Sequence, residues 1–228
     1  AHMSTEPEFS RTDQSEQPVS SGHDNEPVQV APHSEAVTDL LGALAYGELT
    51  AFSRLAGDAD LAPTLTARAA LARLATVEFG HFDALRERLT ELGADPEVAM
   101  EPFVAILDAF HDRTAPGDWL EGLVKAYVGD GTASDFYREI SAYVDPSTRA
   151  LVTKVLSDSG QAEFIVTTVR AAIIDDPRVS GRLALWGRRL MGEALSLAQR
   201  VAADHDGLAS LVVGSPEGPG ADLAEVAR

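Results

Sequence analysis

The sequence predicts an all-α protein, a bundle of helices joined by short loops. Three observations carry this. From residue 34 onward apolar residues recur at three- and four-residue intervals, and no stretch alternates as a strand does. Ala and Leu, strong helix formers, are abundant throughout. The segment boundaries carry helix start and stop signals, above all Asp95-Pro96, Asp145-Pro146 and Asp176-Pro177. No internal repeat of roughly 20 to 50 residues argues for a solenoid.

The elements follow in order. Residues 1–33 are rich in Ser, Glu, Gln and Pro with almost no large apolar residues, which predicts a disordered acidic tail. Ala1 and His2 ahead of Met3 have the form of a cloning remnant. Ser34 is positioned to cap a first helix to about Ala56, with the apolar stripe Val37, Leu40, Leu41, Leu44, Ala51 and Leu55. The loop GDADLAP leads to a second helix over about residues 64–92, stopped by Gly93. Asp95-Pro96 starts a third to about Arg113, which Pro102 is expected to bend or restart. Asp118 caps a fourth over about residues 119–143, and Asp145-Pro146 opens a fifth that runs to about Ile174. A long amphipathic helix over about residues 179–204 follows. The domain is thus expected to span 34–205, with 206–228 as a flexible C-terminal segment: GSPEGPG is a break, and ADLAEVAR reads as the first turns of a truncated helix. About five or six helices result, with up-and-down neighbours.

Composition narrows the function. The 228 residues carry a net charge of −18. Seven of the 36 acids and one of the 18 bases lie in residues 1–35, so the body itself holds 29 acids against 17 bases. Such a surface repels phosphate backbones and disfavours nucleic acid as a partner. The cluster Arg182, Arg188 and Arg189 reads as a solvated face. The chain has no cysteine, which excludes thiolate metal sites. No apolar run reaches the roughly 18 residues of a membrane span, and no signal pattern opens the chain. A cytoplasmic protein without membrane contact is expected.

Several polar residues fall on apolar stripes. Glu48 takes a position between Leu44, Ala51 and Leu55 where packing would place Leu. Glu78 and His81 interrupt the stripe of Leu71, Leu74, Leu85 and Leu92. Asp130 stands between Leu123, Tyr127 and Tyr137, and Asp158 between Val155 and Ile165, with Gln161 one turn on. Four helices therefore each offer a carboxylate inward, and neither Lys nor Arg fills a matching position. Unpaired carboxylates in an apolar interior cost several kcal/mol each unless a cation compensates them. Carboxylates with an imidazole are ligands that iron or manganese takes. The i, i+3 spacing of Glu78 and His81 places both on one helix face, within reach of one ion.

The order Glu48, then Glu78-x-x-His81, then Asp130, then Asp158-x-x-Gln161 resembles the ferritin-like di-iron carboxylate superfamily. The phrases LLGALAYGELTAF, VEFGHFDAL, GLVKAYVGDGTASDFYREI and LSDSGQAEF look most like an actinobacterial ferritin-like group related to the methylthio-isopentenyladenosine tRNA hydroxylases. The resemblance covers about residues 36–204. It implies a ferritin-like bundle of four core helices plus an additional C-terminal helix. It also implies a di-iron site, with manganese as an alternative, held by Glu48, Glu78, His81, Asp130, Asp158 and Gln161. The chain departs from the superfamily pattern in its second half-site: Asp replaces the common Glu at 130 and 158, and Gln161 stands where a second His is expected.

The activity so implied is oxygen-dependent hydroxylation or oxidation of a small or carrier-bound organic substrate. Individual catalytic residues beyond the metal ligands are not identified. The alternative is a metal-free or metal-poor ferritin-like scaffold or ligand-binding module, with the 179–204 helix as a homodimer interface. Tyr127, Tyr137 and Glu193 are candidates for contact with the metal ligands, with ordinary packing as the competing role.

Overall fold

A computed structural model describes residues 32–140, 143–157 and 161–213. Eight α-helices and one 3₁₀ turn account for nearly all of them: α1 Pro32–Asp58, the turn Ala59–Leu61, α2 Leu65–Glu91, α3 Pro96–Arg113, α4 Trp119–Ile140, α5 Pro146–Val155, α6 Gln161–Asp175, α7 Val179–Asp204 and α8 Asp206–Val213. No strand occurs among the described residues, so the protein is all-α.

The helix ends are set by local chemistry. Thr64 accepts the backbone N–H of Ala67 at 3.1 Å, and Asp95 those of Glu97 and Val98 at 2.9 and 3.3 Å. Asp145 likewise accepts from the N–H of Thr148 at 3.0 Å. Proline follows each of these two aspartates, at a position where its missing N–H leaves no bond unmade. Helix α2 ends in a Schellman arrangement: Gly93 adopts φ 78°, its N–H reaches the Thr90 carbonyl, and Ala94 N–H reaches that of Leu89. Helix α3 runs through Pro102 without a restart. The carbonyl that Pro102 leaves unpaired belongs to Val98, which is exposed, so water can take the missing partner's place.

Helices α1 and α2 form an antiparallel hairpin that is the spine of the molecule, with α3 and α8 packed on α1, and α7 packed on α4 and α3. The crossing of α1 over α3 depends on Gly42, because a Cβ there would overlap the Ala99 carbonyl. Two apolar clusters result. One joins the start of α1 to the end of α2 through Leu41, Ala45, Leu85 and Leu89, with Phe103 and Ile140. The other joins the end of α1 to the start of α2 through Leu55, Leu71 and Ala75, with Trp119 and Ile165.

The structure departs from the sequence reading at four places. The helix expected over 146–174 is two, α5 and α6, separated at Leu156 and Ser157. Residues 206–213, assigned to a flexible segment, form α8, whose Leu208 and Leu211 are buried in the first cluster. Helix α1 begins at Pro32, so the expected cap Ser34 lies inside it. The stripe residue Leu92 is exposed, because the chain leaves the helix at Gly93. The expected tail as far as residue 31, the GSPEGPG break and the ADLAEVAR segment lie outside the described residues.

Candidate metal centre and its cavity

The two apolar clusters meet at a polar seam. Glu48 lies three residues after Ala45 and seven before Leu55 on α1, while Glu78 and His81 occupy the interval between Ala75 and Leu85 on α2. The hairpin brings these three side chains together, with ligand atoms all within 4.8 Å of one another. His81 Nδ1 stands 3.4 Å from Glu78 Oε2 and 3.6 Å from Glu48 Oε2. These are ionic contacts, longer than tight hydrogen bonds. Glu78 is 8% exposed, and the Glu48 side chain retains 12% of its surface. So little solvent cannot support two bare carboxylates, and a proton or a cation must balance them.

Without a metal, protons do so. Burial pushes the Glu48 carboxyl up to about 8, and the contact of Nδ1 with Glu48 and then Glu78 raises the His81 imidazole to about 9. Burial also works against ionisation of Glu78, but His81 and Glu48 as donors outweigh it and hold this carboxyl below its ordinary value. Near neutrality the group is a protonated Glu48, an ionised Glu78 and an imidazolium. Displacing the two titratable protons exposes two carboxylates and one imidazole nitrogen, a donor set that fits a divalent ion such as ferrous iron or manganese.

The remaining expected ligands are placed differently. Asp130 on α4 is exposed, and it borders the same cavity as Glu48 and Glu78 without joining their group. Gln161, the first residue of α6, is 6% exposed and also lines that cavity. Asp158 lies outside the described residues. Of the six, the structure brings Glu48, Glu78 and His81 into mutual reach. Elsewhere, Tyr137 packs in the first core cluster and donates to the Arg149 carbonyl, whereas Tyr127 is exposed. Glu193 accepts from Arg113 Nε at 2.9 Å, tying α7 to α3. Arg182 pairs with Asp118 and Glu121, and Arg189 donates to the Arg113 carbonyl. The arginine cluster therefore ties helices together as well as meeting solvent.

The cavity has a volume of about 290 Å³ and a mostly apolar wall, including Leu44, Ala51, Phe103, Leu107, Ala126 and Ala133. Its polar lining includes residues that sequence reasoning did not assign. Lys125 is 9% exposed and lines the wall, contrary to the expectation that no lysine or arginine points inward. The reason is tertiary. Its Nζ donates at 2.8 Å to the carbonyl of Thr114, which caps α3, so the cation satisfies a helix C-terminus. Burial lowers the ammonium to about 8, and burial likewise lowers His111 to about 4. Thr50 Oγ1 donates to the Gly47 carbonyl and lies 3.1 Å from His111 Nε2, so the neutral ring donates from Nε2. The one sequence signal for this end was Lys125 itself, a charged residue two positions after buried Leu123.

A helical bundle with a buried Glu, Glu and His on two neighbouring helices defines a ferritin-like protein with a candidate metal centre. The family model described as "Ferritin-like domain, actinomycetes" matches residues 31–215, and the chain belongs to that family. No curated protein matches it. The family match establishes the ferritin-like kinship and does not extend to the narrower likeness to tRNA hydroxylases. Among the described residues no helix is long and apolar enough to cross a membrane.

Proposed function

We propose that the protein binds iron at Glu48, Glu78 and His81 and carries out an oxygen-dependent oxidation, in its simplest form a hydroxylation, of an organic molecule held in the adjoining cavity. The observation that carries this reading is the coincidence of the buried carboxylate and imidazole group with an apolar cavity that Glu48 and Glu78 themselves line. Iron bound there would supply the redox chemistry that protein side chains lack. Glu48, Glu78 and His81 would hold the ion through two carboxylates and one imidazole nitrogen. The apolar lining would exclude water and seat the substrate. Asp130, Asp158 and Gln161 are the candidates for a second half-site, with Gln161 as its weakest donor. The acidic body favours a small or carrier-bound substrate over RNA.

A second reading rests on a different observation. The three groups are already neutralised by their own protons, so the seam is self-consistent without metal. In that case the protein is a ligand-binding scaffold. The exposed Leu185, Met191 and Leu195 on one face of α7 would then serve for pairing with a second copy.

Elemental analysis of protein purified without chelator, followed by anaerobic ferrous titration, separates the two. The metal reading expects one iron per chain, or two if the second half-site forms, with binding abolished in Glu78→Ala. No uptake at any iron concentration would leave the scaffold reading.

A further inference from the structure

We propose that the end of the cavity remote from His81 is a carboxylate-binding end. There the Lys125 ammonium, with the Arg54 guanidinium at the rim, takes the head of an apolar monocarboxylic acid whose hydrocarbon body lies along the wall toward Glu48 and Glu78. The proposal deepens the reading above, and rests on it for the chemistry at the far end but not for binding itself.

Three observations lead to it. First, Lys125 is a buried cation without a close counterion. It has three N–H donors. One reaches the Thr114 carbonyl, and the Phe110 ring lies 5.8 Å from the nitrogen. Among the described residues no carboxylate stands within ion-pair distance of it. Asp58 and Asp112 act on it only from beyond that distance, so the ammonium is incompletely compensated.

Second, the charges along the cavity are segregated. Arg54, Asp58 and Lys125 line one end, two cations against one lining carboxylate; the Asp58 carboxylate is turned against Gly122, and Asp112 acts on Lys125 from outside the lining. Toward the seam the lining includes Glu48, Glu78 and Asp130 with no lining lysine or arginine beside them, so an anion finds no favourable partner there. A single carboxylate therefore has one favourable address, and an amphipathic acid has one favourable orientation.

Third, the wall between the two ends is apolar, with Ala51, Leu55, Leu107 and Ala126. Arg54 lies six residues beyond Glu48 on α1, a separation of roughly 9 Å along the helix axis. A medium-chain acid spans that interval, whereas acetate does not. Its carbons remote from the acid would lie beside Glu48 and Glu78.

The test is calorimetric titration of the full, chelator-treated chain with decanoate, methyl decanoate and acetate. Decanoate is expected to bind one per chain, at least tenfold more tightly than methyl decanoate, with no binding of acetate. Lys125→Met should weaken decanoate at least tenfold and leave methyl decanoate unchanged, while Lys125→Arg retains most of the affinity. Absence of decanoate binding, equal affinity for the methyl ester, or a Lys125→Met variant that binds decanoate as tightly as the parent would each overturn the proposal. If Lys125→Met fails to fold, the comparison of acid with ester on the parent chain decides alone. Because the protein is metal-free, loss of the iron reading leaves this result standing, and a chain that takes iron but not decanoate sinks only the acid end.

Discussion

His81 Nδ1 lies 3.4 Å from Oε2 of Glu78, one turn back on the same helix, and this pair makes the stability of the metal-free fold depend on pH. His81 is raised from 6.5 to about 9, so its contribution is complete below about 6.5 and is lost as pH rises toward 9. Glu48, raised from 4.5 to about 8, slopes the same way, because the folded state keeps a proton that the unfolded chain has released. Glu78 is lowered and slopes oppositely, but only around its ordinary value of 4.5. His111, lowered to about 4, acts mainly below 6.5, and Lys125 mainly above 8. Between about pH 6 and 8, stability should fall by on the order of 2 kcal/mol, discounted for partial solvation of the imidazole. Urea denaturation at both pH values measures it. A flat profile, or one unchanged in His81→Gln, would contradict the assignment.

The same protons oppose a metal. Binding at neutral pH must expel one from His81 and one from Glu48, so affinity should rise with pH by more than tenfold per unit below about 8. Manganese(II) titrations at pH 6.5 and 7.5 with the proton release recorded in two buffers would show it. Uptake without proton release would mean that the ion binds elsewhere.

Gly42→Ala should destabilise by about 2 to 3 kcal/mol, because its methyl group would overlap the Ala99 carbonyl and force α1 away from α3. Gly80→Ala is the internal control. A Cβ there meets nothing within 4 Å, and a mid-helix Gly to Ala change is worth about 0.5 to 1 kcal/mol of stabilisation. Thermal melts of both variants should move in opposite directions.

Gln161→His replaces a buried amide on the cavity wall by a stronger ligand. If a second half-site forms beside Glu78, iron uptake should rise toward two per chain, with little change in melting temperature. Unchanged stoichiometry would leave the first half-site as the whole centre.

The parts of the fold readable from sequence are those fixed within a few residues. Asp95 and Asp145 mark helix starts through bonds to N–H groups two or three residues on, and Gly93 marks a stop through its own φ. Glu48, Glu78 and His81 were legible because each interrupts an apolar stripe on a long, regular helix. What required tertiary partners was not legible. Helix α8 has only eight residues, too few for a period, and is held by burial of Leu208 and Leu211. Lys125 is inward because the carbonyl of Thr114, eleven residues earlier, awaits it. Asp130 is exposed together with Tyr127, because α4 turns Gly122, Leu123 and Lys125 inward rather than the stripe read through Tyr127 and Asp130.

The seam between the two apolar clusters bears on how the molecule opens. Helices α1, α2 and α4 run through both halves as continuous helices, and α1 and α2 cross the seam at Glu48 and Glu78, where packing is replaced by charge and empty volume. Amide exchange in the metal-free protein should therefore resolve two sub-global unfolding units of differing protection, divided near these residues. An ion or small molecule lodged between them would contact both units at once and merge the two exchange classes into a single cooperative transition.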